Sequence, residues 1–210
     1  MVELKFGLQT VDLPYTVRIP DVTETQFDEL VDENTRAELL DGVMIVHSPA
    51  TTRDDDVSGF LRFLQRGFAA QMGLGKVLGP DSPVGLGRRR KFAPDWFFLE
   101  QKRLKRGLPR KLWKGAPDLA GEVLSPSTRS YDLEEKRPAY QQAKDGEIWL
   151  VDLDHESVIL DFLEGQHYNT TLVSRGRVAS RVLRGFWMDV AWLWQEPLPN
   201  EMTCLHKILG

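Results

Sequence analysis

Cysteine is almost absent from this chain: Cys204 stands alone. No internal disulfide can form, and a reducing compartment, the cytoplasm, is the expected home. No apolar run approaches the ~18 residues that a membrane-spanning helix needs, so no membrane partner is expected. The opening Met1-Val2-Glu3-Leu4-Lys5 is not followed by an apolar h-region, and no signal peptide is expected. Histidine is scarce too. His47, His155, His167 and His206 have neither zinc-ligand spacing nor cysteine partners, which points them to structural or exposed roles. A Gly-x-Ser-x-Gly elbow is missing, and Gly73, Gly75, Gly79, Gly85 and Gly87 form neither a Walker loop nor a dinucleotide fingerprint. Internal repeats and low-complexity segments are also lacking, and 210 residues suit a single domain spanning 1–210.

Charge, by contrast, is unevenly spread. The net value of −4 conceals a segment from Leu86 to Lys114 that carries +9 against −13 for the remainder. Its basic residues include Arg88, Arg89, Arg90, Lys91, Lys102, Arg103, Lys105 and Arg106, opposed only by Asp95 and Glu100. Such a block attracts polyanions, although most charge runs are solvated surface.

The hydrophobic pattern predicts a mixed α/β domain. Residues 3–18 alternate weakly, as one or two strands. Thr23 or Thr25 caps a short helix carrying Phe27 and Leu30. Ala37 to Val46 reads as a hairpin around the Asp41-Gly42 turn. Val57, Phe60, Leu61, Leu64 and Phe68 fall at helical spacing over 54–72, with Gly73 as C-cap. Strands are expected at 76–78, 83–86, 92–99, 117–124, 148–153 and 158–163, with further β structure to Leu183. A helix is expected over 132–144, and a short one carrying Trp187, Trp192 and Trp194. The segment 102–114 reads as loop or broken helix, and the tail from Pro197 as partly disordered.

Two of these strands each contain one acid among apolar residues. Asp95 lies in Phe92-Ala93-Pro94-Asp95-Trp96-Phe97-Phe98-Leu99, and Glu122 in Leu119-Ala120-Gly121-Glu122-Val123-Leu124. An isolated ionised carboxylate in such a setting is costly unless it is paired or binds metal. Phosphodiester cleavage with Mg²⁺ needs converging carboxylates, because that ion takes oxygen ligands in a tight octahedron. Against this stands the alternative that each acid sits at a strand end and accepts backbone or arginine hydrogen bonds. Downstream, Asp132, Lys136 and Tyr140 recur every four residues and share one helix face. They form either an exposed ion pair or a face turned to the strand ends.

The run from Gly115 to Thr128, followed by Asp132, Lys136, Tyr140 and Glu147–Asp152, resembles the Uma-type branch of the PD-(D/E)XK nuclease superfamily. Arg36 to Gly42, Ser48-Pro49, Pro94-Asp95 and Arg181 to Phe186 add to the likeness, in order, from about Phe27 to Trp194. The resemblance implies a restriction-endonuclease-like fold, a mixed β-sheet flanked by helices, with the N-terminal strands and C-terminal tail as additions. It implies a DNA endonuclease using Mg²⁺ or Mn²⁺. Asp95 and Glu122 would be the metal-binding acids, Glu38 an additional acid and Lys136 the catalytic lysine, displaced from the position of Leu124. The basic segment would track the DNA backbone, and a homodimer is allowed. One departure stands out: where the family often has a histidine at the start of the first long helix, this chain has Asp54. The alternatives are a catalytically silent module of the same fold that binds nucleic acid, or one that binds a protein partner.

Overall fold

The computed structural model describes residues 4–6, 9–11, 15–31, 37–48, 50–105 and 107–210. Arg36, Pro49 and Arg106, singled out in the sequence, lie outside them. Near the start, β1 (Leu4–Phe6) and β2 (Gln9–Val11) pair with each other, and β3 (Thr16–Ile19) follows. Thr23 caps α1 (Glu24–Leu30) in a reciprocal box with Gln26. Phe27 is buried beneath this helix, whereas Leu30 is exposed.

The Asp41-Gly42 turn forms as expected. Both residues have positive φ, 50° and 94°, and they join β4 (Ala37–Leu40) to β5 (Val43–His47). The long helix α2 (Thr52–Gln71) buries Val57, Phe60, Leu61, Leu64 and Phe68. Next come β6 (Gly75–Leu78), β7 (Val84–Gly87), β8 (Arg90–Phe92) and β9 (Trp96–Glu100). The expected strand over 92–99 is thus two strands. They are broken at Ala93–Asp95, where Pro94 lacks the N–H a ladder requires.

Beyond a 3₁₀ turn (Gln101–Leu104) the basic segment runs as loop to β10 (Trp113–Lys114), and then β11 (Leu119–Leu124) begins. The next helix starts earlier than the pattern suggested and is interrupted. It consists of α3 (Arg129–Tyr131), a π-helical turn (Asp132–Lys136) and α4 (Arg137–Ala143). The remaining elements are β12 (Glu147–Asp152), β13 (Ser157–Glu164), β14 (His167–Val173), β15 (Arg177–Ala179), β16 (Trp187–Asp189) and α5 (Glu201–Leu209).

Two six-stranded sheets result, in the orders β10-β7-β8-β4-β5-β3 and β14-β13-β12-β11-β9-β6. In the second, β11 runs parallel to β12 and antiparallel to β9. Its central strands are covered on both faces. Trp96, Phe98 and Trp149 pack with α2, while Phe97, Leu99, Ala120 and Ile148 pack with Ile45 and Tyr140. Burial on both faces is why these strands read as unbroken apolar runs, and why an acid within one of them is conspicuous.

Two expectations fail near the C-terminus. The tryptophan-rich segment is strand β16 followed by a 3₁₀ turn (Val190–Trp192), not a helix. The tail is a capped helix, α5, with Asn200 accepting from Thr203 N–H and with Cys204, Leu205 and Ile208 buried. The amphipathic pattern of nine residues is short enough to be masked by the flanking prolines. Leu205→Ala should cost about 2–5 kcal/mol, since the side chain rests on α2 at Gly67 and leaves a void. Urea unfolding of the variant checks this; an unchanged midpoint would mean that α5 adds nothing to the core.

Candidate active site

Asp95 follows the Pro94 break and enters β9 beside β11. Gly121, opposite Trp96, lets the indole lie flat on β11: a β-carbon there would come within 2.1 Å of the ring. The two acids are then interlocked through the backbone. Val123 N–H donates to Asp95 Oδ2 (2.8 Å), and Asp95 N–H donates to Glu122 Oε2 (3.3 Å).

The opposite side of the site is built by the helix. The π turn widens the backbone between Asp132 and Lys136, a distortion often found at functional sites. Asp132, Lys136 and Tyr140 turn inwards together, so the expected shared face meets the strand ends rather than solvent. Lys136 Nζ lies 2.8 Å from Glu38 Oε1, 2.9 Å from Glu122 Oε1 and 3.8 Å from Asp132 Oδ1. Tyr140 O–H donates to Glu122 Oε1 at 2.6 Å. Glu38 arrives from β4, where Ala93 N–H donates to its Oε1 at 2.8 Å. All four residues expected for catalysis therefore meet in one place. Glu38, Glu122 and Lys136 are at most 4% exposed.

These groups line a cleft of about 790 Å³, counting its open mouth, together with His47, Asp54, Asp55, Ser58, Pro80, Asp132 and others. Of these, His47, Asp55, Ser58 and Pro80 were not singled out for the site by sequence. His47 Nε2 stands 3.8 Å from Glu38 Oε2, too long for a hydrogen bond. Its one signal is alternation along β5, which turns it to the same side as Glu38's strand partner. Asp55 and Ser58 come in with the first turns of α2. Asp54 is buried: its Oδ2 accepts from the Thr51 hydroxyl (2.7 Å) and N–H (3.2 Å) in a capping box.

Negative charge dominates the cleft. Six carboxyl groups (Glu38, Asp54, Asp55, Asp95, Glu122, Asp132) line it against the single ammonium of Lys136 and the His47 ring. Burial, and then repulsion from Asp95, Asp132 and Glu38, raises the Glu122 carboxyl well above the usual range despite Lys136. Burial would lower Lys136, but Glu122, Glu38 and Asp132 outweigh it and keep the amine charged. Burial would raise Glu38 too; Lys136, with His47 behind it, holds that carboxyl down at about 2.

Asp132 is pushed up to about 6, chiefly by burial, against the pull of Lys136. Between its ordinary value and about 6 the folded chain then holds more protons here than the unfolded chain. The group's stabilising contribution is complete below the ordinary value and is lost as pH rises through about 6. Asp132→Asn should therefore gain stability relative to the native chain as pH rises across that window. Urea unfolding at the two ends checks it; a difference independent of pH would mean that Asp132 titrates normally.

The donor set suits a hard divalent cation. Asp95 and Glu122 present carboxylate oxygens side by side, the local charge is strongly negative, and Glu38 Oε2 is buried without a hydrogen-bond partner among the described residues. Among those residues no group of three or more His, Cys, Asp or Glu side chains is arranged to hold a metal. A pair of carboxylates is compatible with an ion such as Mg²⁺, which keeps several waters.

Ala93 and Asp95 of the basic segment line the cleft, but among the described residues none of its expected phosphate-binding side chains does. Arg89 N–H donates to Glu24, and Arg90 holds Asp41 with two bonds of 2.8 Å. Lys91 pairs with Asp28 at 2.5 Å, Lys102 with Glu100, and Arg103 with Asp118 at 3.1 Å. Arg88 and Lys105 are exposed and have no such partner among the described residues. No helix among the described residues is long and apolar enough to cross a membrane.

Residues 25–191 match the family Uma2, described as "Putative restriction endonuclease". Among solved structures, the chain is similar to one described as "a putative nuclease belonging to DUF820 from Anabaena variabilis". Identity is 15%, with 82% of this chain and 97% of that chain covered and a TM-score of 0.71. No curated protein matches. At that identity the structural likeness speaks for the fold, which is the restriction-endonuclease-like mixed α/β architecture expected from the sequence.

Proposed function

The chain belongs to the Uma2 family, and from that premise we propose that it is a metal-dependent endonuclease hydrolysing phosphodiester bonds in DNA. The observation that carries the reading is the convergence of Lys136 on Glu38 and Glu122 at 2.8 and 2.9 Å, with Asp95 interlocked to Glu122 beside them. Asp95 and Glu122 would hold Mg²⁺ or Mn²⁺. When bound, the ion would acidify a water and offset charge on the phosphoryl oxygens. The cleft's excess of carboxylates supports the requirement, because it weakens the local hold on a phosphate unless a cation is present.

The remaining tasks fall to the chain's own residues. Glu38 and Glu122 fix the Lys136 ammonium, which is positioned to donate a hydrogen bond to the attacking water or to a phosphoryl oxygen. Tyr140 orients the Glu122 carboxylate through its 2.6 Å hydrogen bond. Arg88, Lys105, Arg110, Lys111 and Lys114 are exposed without a partner among the described residues and retain charge for backbone contact, whereas Arg90, Lys91, Lys102 and Arg103 would have to exchange an existing one. Such contacts would position DNA without reading bases.

Digestion of supercoiled plasmid, linear duplex, single-stranded DNA and RNA across Mg²⁺ and Mn²⁺ concentrations tests the proposal. Metal-dependent cutting of DNA is expected; no cutting of any substrate would contradict it. One observation favours a second reading, a silent module that binds nucleic acid. Asp54 adds another carboxylate to the cleft, and its oxygen is engaged by Thr51. Salt-sensitive binding of DNA without cleavage at any metal concentration would select that reading.

A further inference from the structure

A second cationic group, Arg62, lies next to residues that line the cleft, on a different element from Lys136. Ser58 lines the cleft from α2, and Arg62 lies one turn further along the same helix face, ~6 Å along the axis. Across from it is the segment that follows β6. Pro80 lines the cleft there, and the adjoining Gly79 receives the Arg62 side chain. A β-carbon at Gly79 would come within 2.6 Å of Arg62 Nη1 and 3.2 Å of its Cδ. Gly79 has no positive φ, so its backbone would accept other residues. What it provides is room for the guanidinium.

Arg62 is half-buried, yet among the described residues it has no hydrogen bond or ion pair. Arg90, Arg103 and Arg137, by contrast, each hold a carboxylate. A guanidinium that has given up part of its water without gaining an acceptor is unfavourable, and an anionic ligand relieves it. Arg66, the next turn of α2, and Lys76 on the edge strand β6 are exposed and also lack partners among the described residues. They continue positive charge away from the cleft along the α2–β6 side.

Resting on the nuclease reading above, we infer that Arg62 binds a phosphodiester of the strand being cut, one flanking the scissile phosphate. The fork of a guanidinium matches two phosphoryl oxygens, which an ammonium cannot do. The contact positions the strand, so Arg62 is a binding residue rather than one that acts on the reacting atoms.

The test uses the full chain without metal, a short labelled duplex and the matching single strand. Arg62→Gln should weaken binding about tenfold and flatten the slope of log K against log salt by about 0.9. Arg62→Lys should restore the slope but not the full affinity. Gly79→Ala keeps the charge and displaces the guanidinium, so it should weaken binding with the chain's unfolding midpoint unchanged. Methylphosphonate placed at one position after another should find a phosphate whose neutralisation weakens the native protein but not Arg62→Gln. If Arg62→Gln and Gly79→Ala both bind as the native chain does, with unchanged salt slope, the inference is overturned and the nuclease reading stands. If the native chain neither binds nor cuts any nucleic acid, that reading falls and the inference with it.

Discussion

Asp95→Asn is expected to lower plasmid cleavage on the order of 10³-fold, about 4 kcal/mol of transition-state stabilisation, while the fold survives. Asparagine keeps the oxygen that accepts from Val123 N–H at 2.8 Å, so the link between β9 and β11 is retained. What disappears is the charge beside Glu122. Because Asp95 is among the groups that raise the Glu122 carboxyl, its removal should bring that carboxyl down and leave stability equal or slightly higher. Metal-free binding to DNA should persist or strengthen, since a negative charge near the phosphates has gone. Calorimetric titration with Mn²⁺ checks the cause: weaker binding of the ion is expected. Native ion affinity in an inactive variant would mean that Asp95 acts on substrate and not on metal.

Lys136→Met is expected to lose turnover and also about 3–5 kcal/mol of stability. The sequence alone suggests a loss confined to the chemical step, because the stem length is preserved. The structure adds a second cost. With Lys136 only 4% exposed and bridging Glu38 to Glu122, methionine leaves buried carboxylates without their countercharge. Pairing it with Glu38→Gln removes one of those charges. The double variant should regain much of the stability in urea unfolding and remain inactive. Recovery of both together would make Lys136 a structural counterion only; recovery of neither would mean that packing, not charge, is what the methionine disturbs.

How much of this was legible beforehand depended on the range of the interactions. The hairpin at Asp41-Gly42 and the helix Thr52–Gln71 are local patterns, and both appear where the sequence places them. The four-residue spacing of Asp132, Lys136 and Tyr140 gave the shared face, although the π turn that delivers it has no signature in spacing alone. Glu38 could be assigned only through resemblance, since nothing in Ala37-Glu38-Leu39-Leu40 shows that β8 and the helix will close over it. Within the basic segment, the partners of Lys91, Arg90 and Arg103 (Asp28, Asp41 and Asp118) are brought in by the fold and have no local signature. Pro94 was a visible break that the surrounding apolar residues outweighed. Arg62 stands out only once Gly79 is seen beside it.

If the centre formed by Asp95, Glu122, Glu38 and Lys136 cuts DNA with a divalent cation, removing either its metal or its charges must stop the cutting. The most direct measurement is nicking of supercoiled plasmid by the native chain, Asp95→Asn and the Glu38→Gln/Lys136→Met pair, purified identically and assayed with Mg²⁺, Mn²⁺ and chelator. Nicking by the native chain alone, abolished by chelator, is expected. Equal nicking by all three, or none by the native chain with either ion, would contradict the role of this centre.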